Sequence, residues 1–231
     1  MHGTLHGLGL GPGDPELITL KSWRILSMAE VIAWPRGPSG ESRARATAAP
    51  FIPDDVVEMA VPIPFGETQE ALDAAYDAAA EDIRAHLAAG RDVAFICMGD
   101  PLFHGSFIYL AERLRGDFPV KAVPGVMAPS ACAAAIGRPL ACKQGVFKVL
   151  PATMAQKALG AELSAGGGTI AIIKAGHHLR ALRGLLDEAG LLDRAYAVEN
   201  AGREDERIAP LRDCGDDAPY FSTVMVFGEA A

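Results

Sequence analysis

The stretch Gly7-Leu8-Gly9-Leu10-Gly11-Pro12-Gly13-Asp14-Pro15 decides how this sequence is read. A short apolar run, Thr4–Leu8, leads into it and predicts a buried strand. The glycines let the backbone turn sharply and approach a ligand with no Cβ in the way. Asp14 is placed to cap a following helix through its carboxylate, and Pro15 suits the first helical position. Strand, glycine-rich turn and helix start in succession predict one βα step of an α/β fold. A turn that holds no ligand is the competing reading for this segment alone.

Two nucleotide-binding readings fail on register. Counted from Gly7, Gly9 or Gly11, the third glycine of a GxGxxG pattern falls on Pro12, Asp14 or Glu16. A P-loop is excluded because no Lys in the chain follows a Gly.

The device recurs. Cys97-Met98-Gly99-Asp100-Pro101 again predicts strand, glycine, capping Asp, Pro and helix. A third turn, Val123-Pro124-Gly125-Val126, precedes a helix-like stretch at 130–136. In an open parallel sheet such turns lie at the carboxyl edge, where ligands bind. Three of them make a binding crevice the better reading.

Alternation of short apolar runs with helical patterns continues through the chain. Further strands are expected at Val31–Trp34, Val56–Ala60, Val93–Cys97, Val120–Val123, Val146–Leu150, Thr169–Ile173, Ala195–Glu199 and Phe221–Phe227. Helical spacing joins Leu72, Tyr76, Ala79, Ile83 and Leu87; Phe103, Phe107, Leu110 and Leu114; and Leu179, Leu182 and Leu186. The pattern predicts α/β architecture with a largely parallel sheet. Ile208–Leu211 and Phe221–Phe227, with the turn-rich Arg212–Pro219 between them, predict an antiparallel hairpin. The pattern breaks near Pro124 and Gly125, which divides the chain into 1–123 and 124–231.

Composition narrows the function classes. Of 231 residues, 50% are apolar and 22% charged, the balance of a folded globular chain. A formal charge of -8 argues against nucleic acid as a partner. No apolar run reaches the length of a membrane span, and the N-terminus lacks the pattern of a signal peptide. Cys97, Cys132, Cys142 and Cys214 form no CxxC pair, so reduced thiols in the cytoplasm are expected. The adjacent His177 and His178 match no metal-ligand spacing, so no metal is expected; no GxSxG elbow occurs either.

On these blocks the sequence resembles the tetrapyrrole methylases, and the resemblance covers essentially the whole chain. Its strongest parts are Gly7–Thr19, Val93–Leu114 and the neighbourhood of Pro124. Within the family it is greatest to the members acting at a meso carbon, C-20, of precorrin-2 or its cobalt form in cobalamin synthesis. The blocks Ala88–Val93, Gly99–Leu110 and Val149–Thr153 carry that likeness. The resemblance implies two α/β domains with the cofactor site in the cleft between them, and S-adenosylmethionine as methyl donor. It also implies a homodimer with a small-molecule tetrapyrrole substrate. Another methylase of the family acting at a different ring position, or a non-catalytic α/β binding protein, stays open beside it.

Carried over by position, the resemblance assigns Pro12, Met98, Gly99, Asp100, Met127, Ala128, Ala175 and Ala201 to the donor. Met98, His104 and the pair Met127-Ala128 depart from the residues usual there. His104 is the candidate base, by its titration range; a hydrogen-bonded surface role is the alternative. Tyr109, beside the apolar stripe, reads as a packing residue. A substrate rich in carboxylates needs cationic groups, for which Arg36, Arg43, Arg45, Lys174, His177, His178 and Arg180 are candidates beside strand ends. For each of these a solvated surface charge is the competing reading.

Overall fold

A computed structural model describes residues 2–64 and 68–228. The chain divides into two compact units, residues 1–127 and 128–231.

The first unit is built on five described strands: β1 (Leu5–Gly9), β2 (Val31–Arg36), β3 (Val57–Pro62), β4 (Val93–Cys97) and β5 (Val120–Val123). Their order is β3-β2-β4-β1-β5, and every pairing is parallel. The helices α1 (Leu20–Leu26) and α2 (Arg43–Ala48) cover one face, packing Leu26, Ala44 and Ala48 on Leu8, Ile32, Ala94 and Ile96. On the other face, α3 (Gln69–Ala88) and α4 (Phe107–Leu114) pack Tyr76, Ile83, Leu87, Phe107 and Leu110 on Leu5, Val31, Val93 and Phe95. Covered on both sides, β4 is buried throughout and carries only apolar residues. The connection leaving β1 runs over the α1 face and that leaving β4 over the α3 face. These two neighbouring strands therefore make the switch point of the sheet, the place where a crevice opens at the carboxyl edge.

The expected stripe of α3 is present, with Tyr76, Ala79, Ile83 and Leu87 buried. Thr68 caps its start by accepting from the Ala71 N–H at 3.3 Å. Two helix starts differ from expectation. Asp14 caps a single 3₁₀ turn, Pro15–Leu17, and α1 begins later under its own cap, Thr19. After Asp100 the chain passes through a turn before α4 begins at Phe107, which leaves Phe103 outside the helix. Gly105 and the left-handed His104 (φ 54°) interrupt helical geometry there.

The second unit holds α5 (Ala128–Ile136), β6 (Phe147–Pro151), α6 (Gln156–Ser164), β7 (Thr169–Ile173), α7 (Leu179–Glu188), β8 (Ala195–Glu199), β9 (Arg207–Pro210) and β10 (Ser222–Val226). Sheet order is β6-β7-β10-β8-β9. Helices α6 and α7 pack Leu159, Leu163, Leu179, Leu182 and Leu186 on Ile170, Ile172, Ala197 and Val224. On the other face Cys132 of α5 meets Ala171, Val198, Met225 and Phe227.

Here two expectations are corrected. The sheet is mixed: only β6 and β7 pair in parallel, while β10 runs antiparallel to both β7 and β8. Strands β9 and β10 do not form a hairpin, because β8 lies between them and pairs with each. The burial of the two strands explains the arrangement. All five residues of β10 are buried, as suits a central strand. Strand β9 leaves Arg207, Ile208 and Pro210 exposed, and proline is tolerated at such an edge.

Candidate functional site

The three sequence turns meet at one edge because β4, β1 and β5 are consecutive in the first sheet. Backbone bonds join the first two. The Gly99 N–H donates to the Gly11 carbonyl at 2.7 Å and the Gly11 N–H to the Gly99 carbonyl at 3.4 Å. The third turn is drawn in by Asp100. One carboxylate oxygen accepts from the Leu102 N–H at 2.8 Å and the other from the Gly125 N–H at 3.1 Å. Asp100 thus spends both oxygens on backbone, and its part in the site is to hold two turns together.

Glycine is required here by contact. A Cβ on Gly125 would lie 2.1 Å from the Gly99 carbonyl oxygen, and one on Gly9 would lie 2.6 Å from the Gly125 backbone. Gly99 is different: its φ is +65° and a Cβ there would meet nothing within 4 Å. Two glycines are therefore required by close backbone packing, whereas at Gly99 the side-chain direction is open and its peptide N–H and C=O are engaged by Gly11.

Pro12 is half-buried between Gly11 and Gly13, which both have positive φ. Met98 is half-buried against the α1-side core, and its sulfur lies 3.8 Å from the hydroxyl of the buried Thr47. Met127, also half-buried, closes the first unit just beyond the Pro124 turn. His104 is exposed and stands edge-on to Phe103 at 5.0 Å, in the turn before α4 and not within the helix. Tyr109 is 43% exposed, so it is not a core residue; it stacks on Tyr76 at 4.7 Å. Behind the second turn, burial pushes the Cys97 thiol up to about 12, which removes it as a nucleophile.

Among the cationic candidates of this unit, Arg45 is occupied. It pairs with Glu58, with one contact of 2.9 Å, and lies over Trp34. Arg36 ends β2 exposed, with no side-chain partner among the described residues, and Arg43 opens α2 half-buried.

In the second unit, Ala128 begins α5, Ala175 follows β7 and Ala201 follows β8. The methyl groups of Ala175 and Ala201 are buried, with exposures of 0% and 6%. Each alanine follows a non-glycine residue in the left-handed region, Lys174 (φ 57°) and Asn200 (φ 52°). Such conformations cluster where surrounding structure fixes them for a purpose. Lys174 has no side-chain partner among the described residues. His177 bonds through Nδ1 to Asp217 at 2.7 Å, and with His178 and Arg180 it lines an open groove reaching Gln156 and Glu188. Sequence reasoning missed Thr47, and it missed the bond from Asp100 to a residue 25 positions away. The Asp-Pro pair predicts a helix cap at Asp100, where the structure has a turn closed by the Leu102 N–H.

The fold and site define a protein of two α/β units whose first sheet brings three glycine-containing turns together at its switch point. Residues 4–213 match the model of the tetrapyrrole (corrin/porphyrin) methylases. The chain belongs to that family. It is 39% identical to the precorrin-2 C(20)-methyltransferase of a Sinorhizobium species, over 98% of this chain and 96% of the relative. The cobalt-precorrin-2 C(20)-methyltransferase of Salmonella typhimurium is 29% identical, over 98% and 97%. Among solved structures, uroporphyrin-III C-methyl transferase from Thermus thermophilus complexed with S-adenosylhomocysteine superposes with a TM-score of 0.70. That likeness spans 97% of each chain at 24% identity.

Proposed function

We propose that this chain transfers a methyl group from S-adenosylmethionine to C-20 of precorrin-2 or cobalt-precorrin-2 in corrin ring synthesis. The near-full-length likeness to the Sinorhizobium C(20)-methyltransferase carries this reading. Pro12, Met98, Gly99 and Met127 of the first unit, with Asp100 behind them, and Ala128, Ala175 and Ala201 of the second are the residues we assign to the donor. The open space beside Gly99 supports this assignment, because a Cβ there would meet nothing within 4 Å.

S-adenosylmethionine supplies a methyl group already activated on a sulfonium sulfur. The chain's own work is then alignment and the exclusion of water. Positioning of this kind lowers barriers by roughly 7–11 kcal/mol. Arg36, Arg43, Lys174 and His177 are the groups we assign to substrate carboxylates. Arg36 and Lys174 are the better placed, being without side-chain partners among the described residues, whereas His177 is already engaged by Asp217. His104 is the group we assign to accept the proton lost after transfer. We read the protein as a cytoplasmic homodimer acting without nucleic acid or membrane; no described helix is long and apolar enough to cross one.

An anaerobic assay with both macrocycles tests the proposal. One added methyl, placed at C-20 by NMR, is the expected product. A methyl at another carbon assigns the chain to a different reaction of the family. Donor binding without turnover on either macrocycle removes the substrate reading, and absence of S-adenosylhomocysteine binding removes the whole.

A further inference from the structure

The loop leaving β8 reads Asn200-Ala201-Gly202-Arg203-Glu204-Asp205-Glu206 and enters β9 at Arg207. Asn200 and Gly202 both have positive φ, 52° and 73°, so Ala201 is bracketed by two left-handed residues. Its methyl group is buried with Cys132, Val198 and Met225. The alanine side chain is thus turned to the core at this point, and it is the backbone of Ala201 and the half-buried Gly202 that the donor assignment concerns.

That backbone is held from behind. The Arg203 N–H donates to the Asn200 carbonyl at 3.1 Å, and the Glu206 N–H to the Arg203 carbonyl at 3.0 Å. Two carboxylates then close the turn. Glu206 Oε2 accepts from the Gly202 N–H at 2.7 Å. Asp205 Oδ2 accepts from Asn200 Nδ2 at 2.9 Å, and its Oδ1 from Arg203 Nε at 2.9 Å. A left-handed non-glycine residue persists only where the surrounding structure holds it. Charge-assisted bonds to backbone and amide N–H groups are strong enough to do so. The arrangement repeats that of the first unit, where Asp100 accepts from the Gly125 N–H behind the Gly99 turn.

We propose that Glu206, supported by Asp205, is a positioning residue for the methyl donor. It fixes the Gly202 amide, and through it the direction of the Ala201 peptide groups, without itself touching the donor. A loop ordered in advance loses less freedom on binding, so the clamp acts on affinity. This inference rests on the assignment of Ala201 to the donor made above.

Calorimetric titration of the full chain with S-adenosylhomocysteine tests it, comparing wild type, Glu206→Ala and Glu206→Gln after circular dichroism has shown each folded. Glu206→Ala is expected to weaken binding roughly tenfold, the loss matching about one charge-assisted hydrogen bond. The donor's KM should rise in step while kcat stays near wild type. Glu206→Gln keeps a carbonyl acceptor for the Gly202 N–H and should recover most of the affinity. Should Glu206→Ala not fold, Asp205→Ala with Asp205→Asn as its conservative partner gives the same comparison. Unchanged affinity in the folded alanine variant, or a loss the conservative variant does not recover, overturns the positioning role alone. A wild-type chain that does not bind S-adenosylhomocysteine brings down the donor reading and this inference with it.

Discussion

The carboxylate of Asp100 accepts a hydrogen bond from the backbone N–H of Gly125 at 3.1 Å, tying the turn after β4 to the turn after β5. Its other oxygen accepts from the Leu102 N–H, so one side chain sets the geometry of two segments that meet at the same edge of the first sheet.

Removing that carboxylate should therefore loosen both turns. Asp100→Ala leaves the partly buried Gly125 N–H without its acceptor, and is expected to lower stability by about 1–3 kcal/mol. Asp100→Asn keeps an acceptor oxygen for one of the two bonds and should lose less. Urea unfolding of the two variants against wild type reads the difference. Equal stability in all three would show that the bridge contributes nothing.

Gly125 and Gly99, both at this edge, should respond differently to one added methyl group. In Gly125→Ala the new Cβ meets the Gly99 carbonyl oxygen at 2.1 Å, which only a backbone shift can relieve. The expected loss is about 3 kcal/mol or more, at the upper end for overpacking. Gly99→Ala meets nothing within 4 Å and suffers only from its positive φ, a loss of about 1–2 kcal/mol. Gly99→Ala should also weaken donor binding, because the methyl group projects into the open space beside the turn assigned above to the donor. Thermal midpoints together with titrations of S-adenosylhomocysteine decide both points. A Gly99→Ala variant less stable than Gly125→Ala would refute the close-packing account.

The thiols offer a probe of the two cores. Cys142 is exposed and Cys214 half-buried, whereas Cys97 and Cys132 are buried. Burial pushes the last two thiols up to about 12, so neither forms thiolate near neutral pH. A disulfide reagent at pH 8 should label Cys142 rapidly and Cys214 more slowly. Cys97 and Cys132 should react only once denaturant opens the fold. Rapid labelling of Cys97 in the native protein, located by peptide mass, would contradict the packing of the second turn.

Much of this architecture was legible in the sequence, for a reason that also explains the failures. The stripe Tyr76, Ala79, Ile83 and Leu87 and the apolar run Val93–Cys97 are local patterns, and each became the element it predicted. Strand partners are not local. Nothing within Arg207–Pro210 or Ser222–Val226 states that β8 will lie between them, so a hairpin was expected where none forms. Direction was equally hidden, since a buried apolar strand such as β10 reads alike in parallel and antiparallel sheets. At the site, Asp100 reads in the sequence as a helix cap, yet its carboxylate closes a turn ahead of α4. Its bond to Gly125 is hidden because tertiary contact alone brings the two together. His104 was read into a helix because helical spacing joins Phe103 to Phe107. Its positive φ places it in a turn instead.

Stability should fall as the solution becomes mildly acidic, with His6 as one named cause. Burial on the α1 side of β1 disfavours its imidazolium and outweighs the attraction of Asp92, whose Oδ2 lies 3.6 Å from Nε2; Lys121 and Lys21 oppose the charge as well. The folded state therefore holds His6 below its ordinary value of 6.5. His86 is lowered too, by burial and then by Arg91, against the attraction of Asp82. Well above pH 6.5 both rings are neutral in the folded and unfolded chain, and neither affects stability. As pH drops through 6.5 the unfolded chain takes up protons that the folded one refuses, and stability is lost until the folded rings titrate in turn. Unfolding free energies measured from pH 7.5 downward should decline through this window. His6→Gln, which has no proton to gain, should make the decline shallower, and adding His86→Gln shallower still. If the double variant keeps the full wild-type slope, the loss belongs to other groups and these half-buried histidines are not its source.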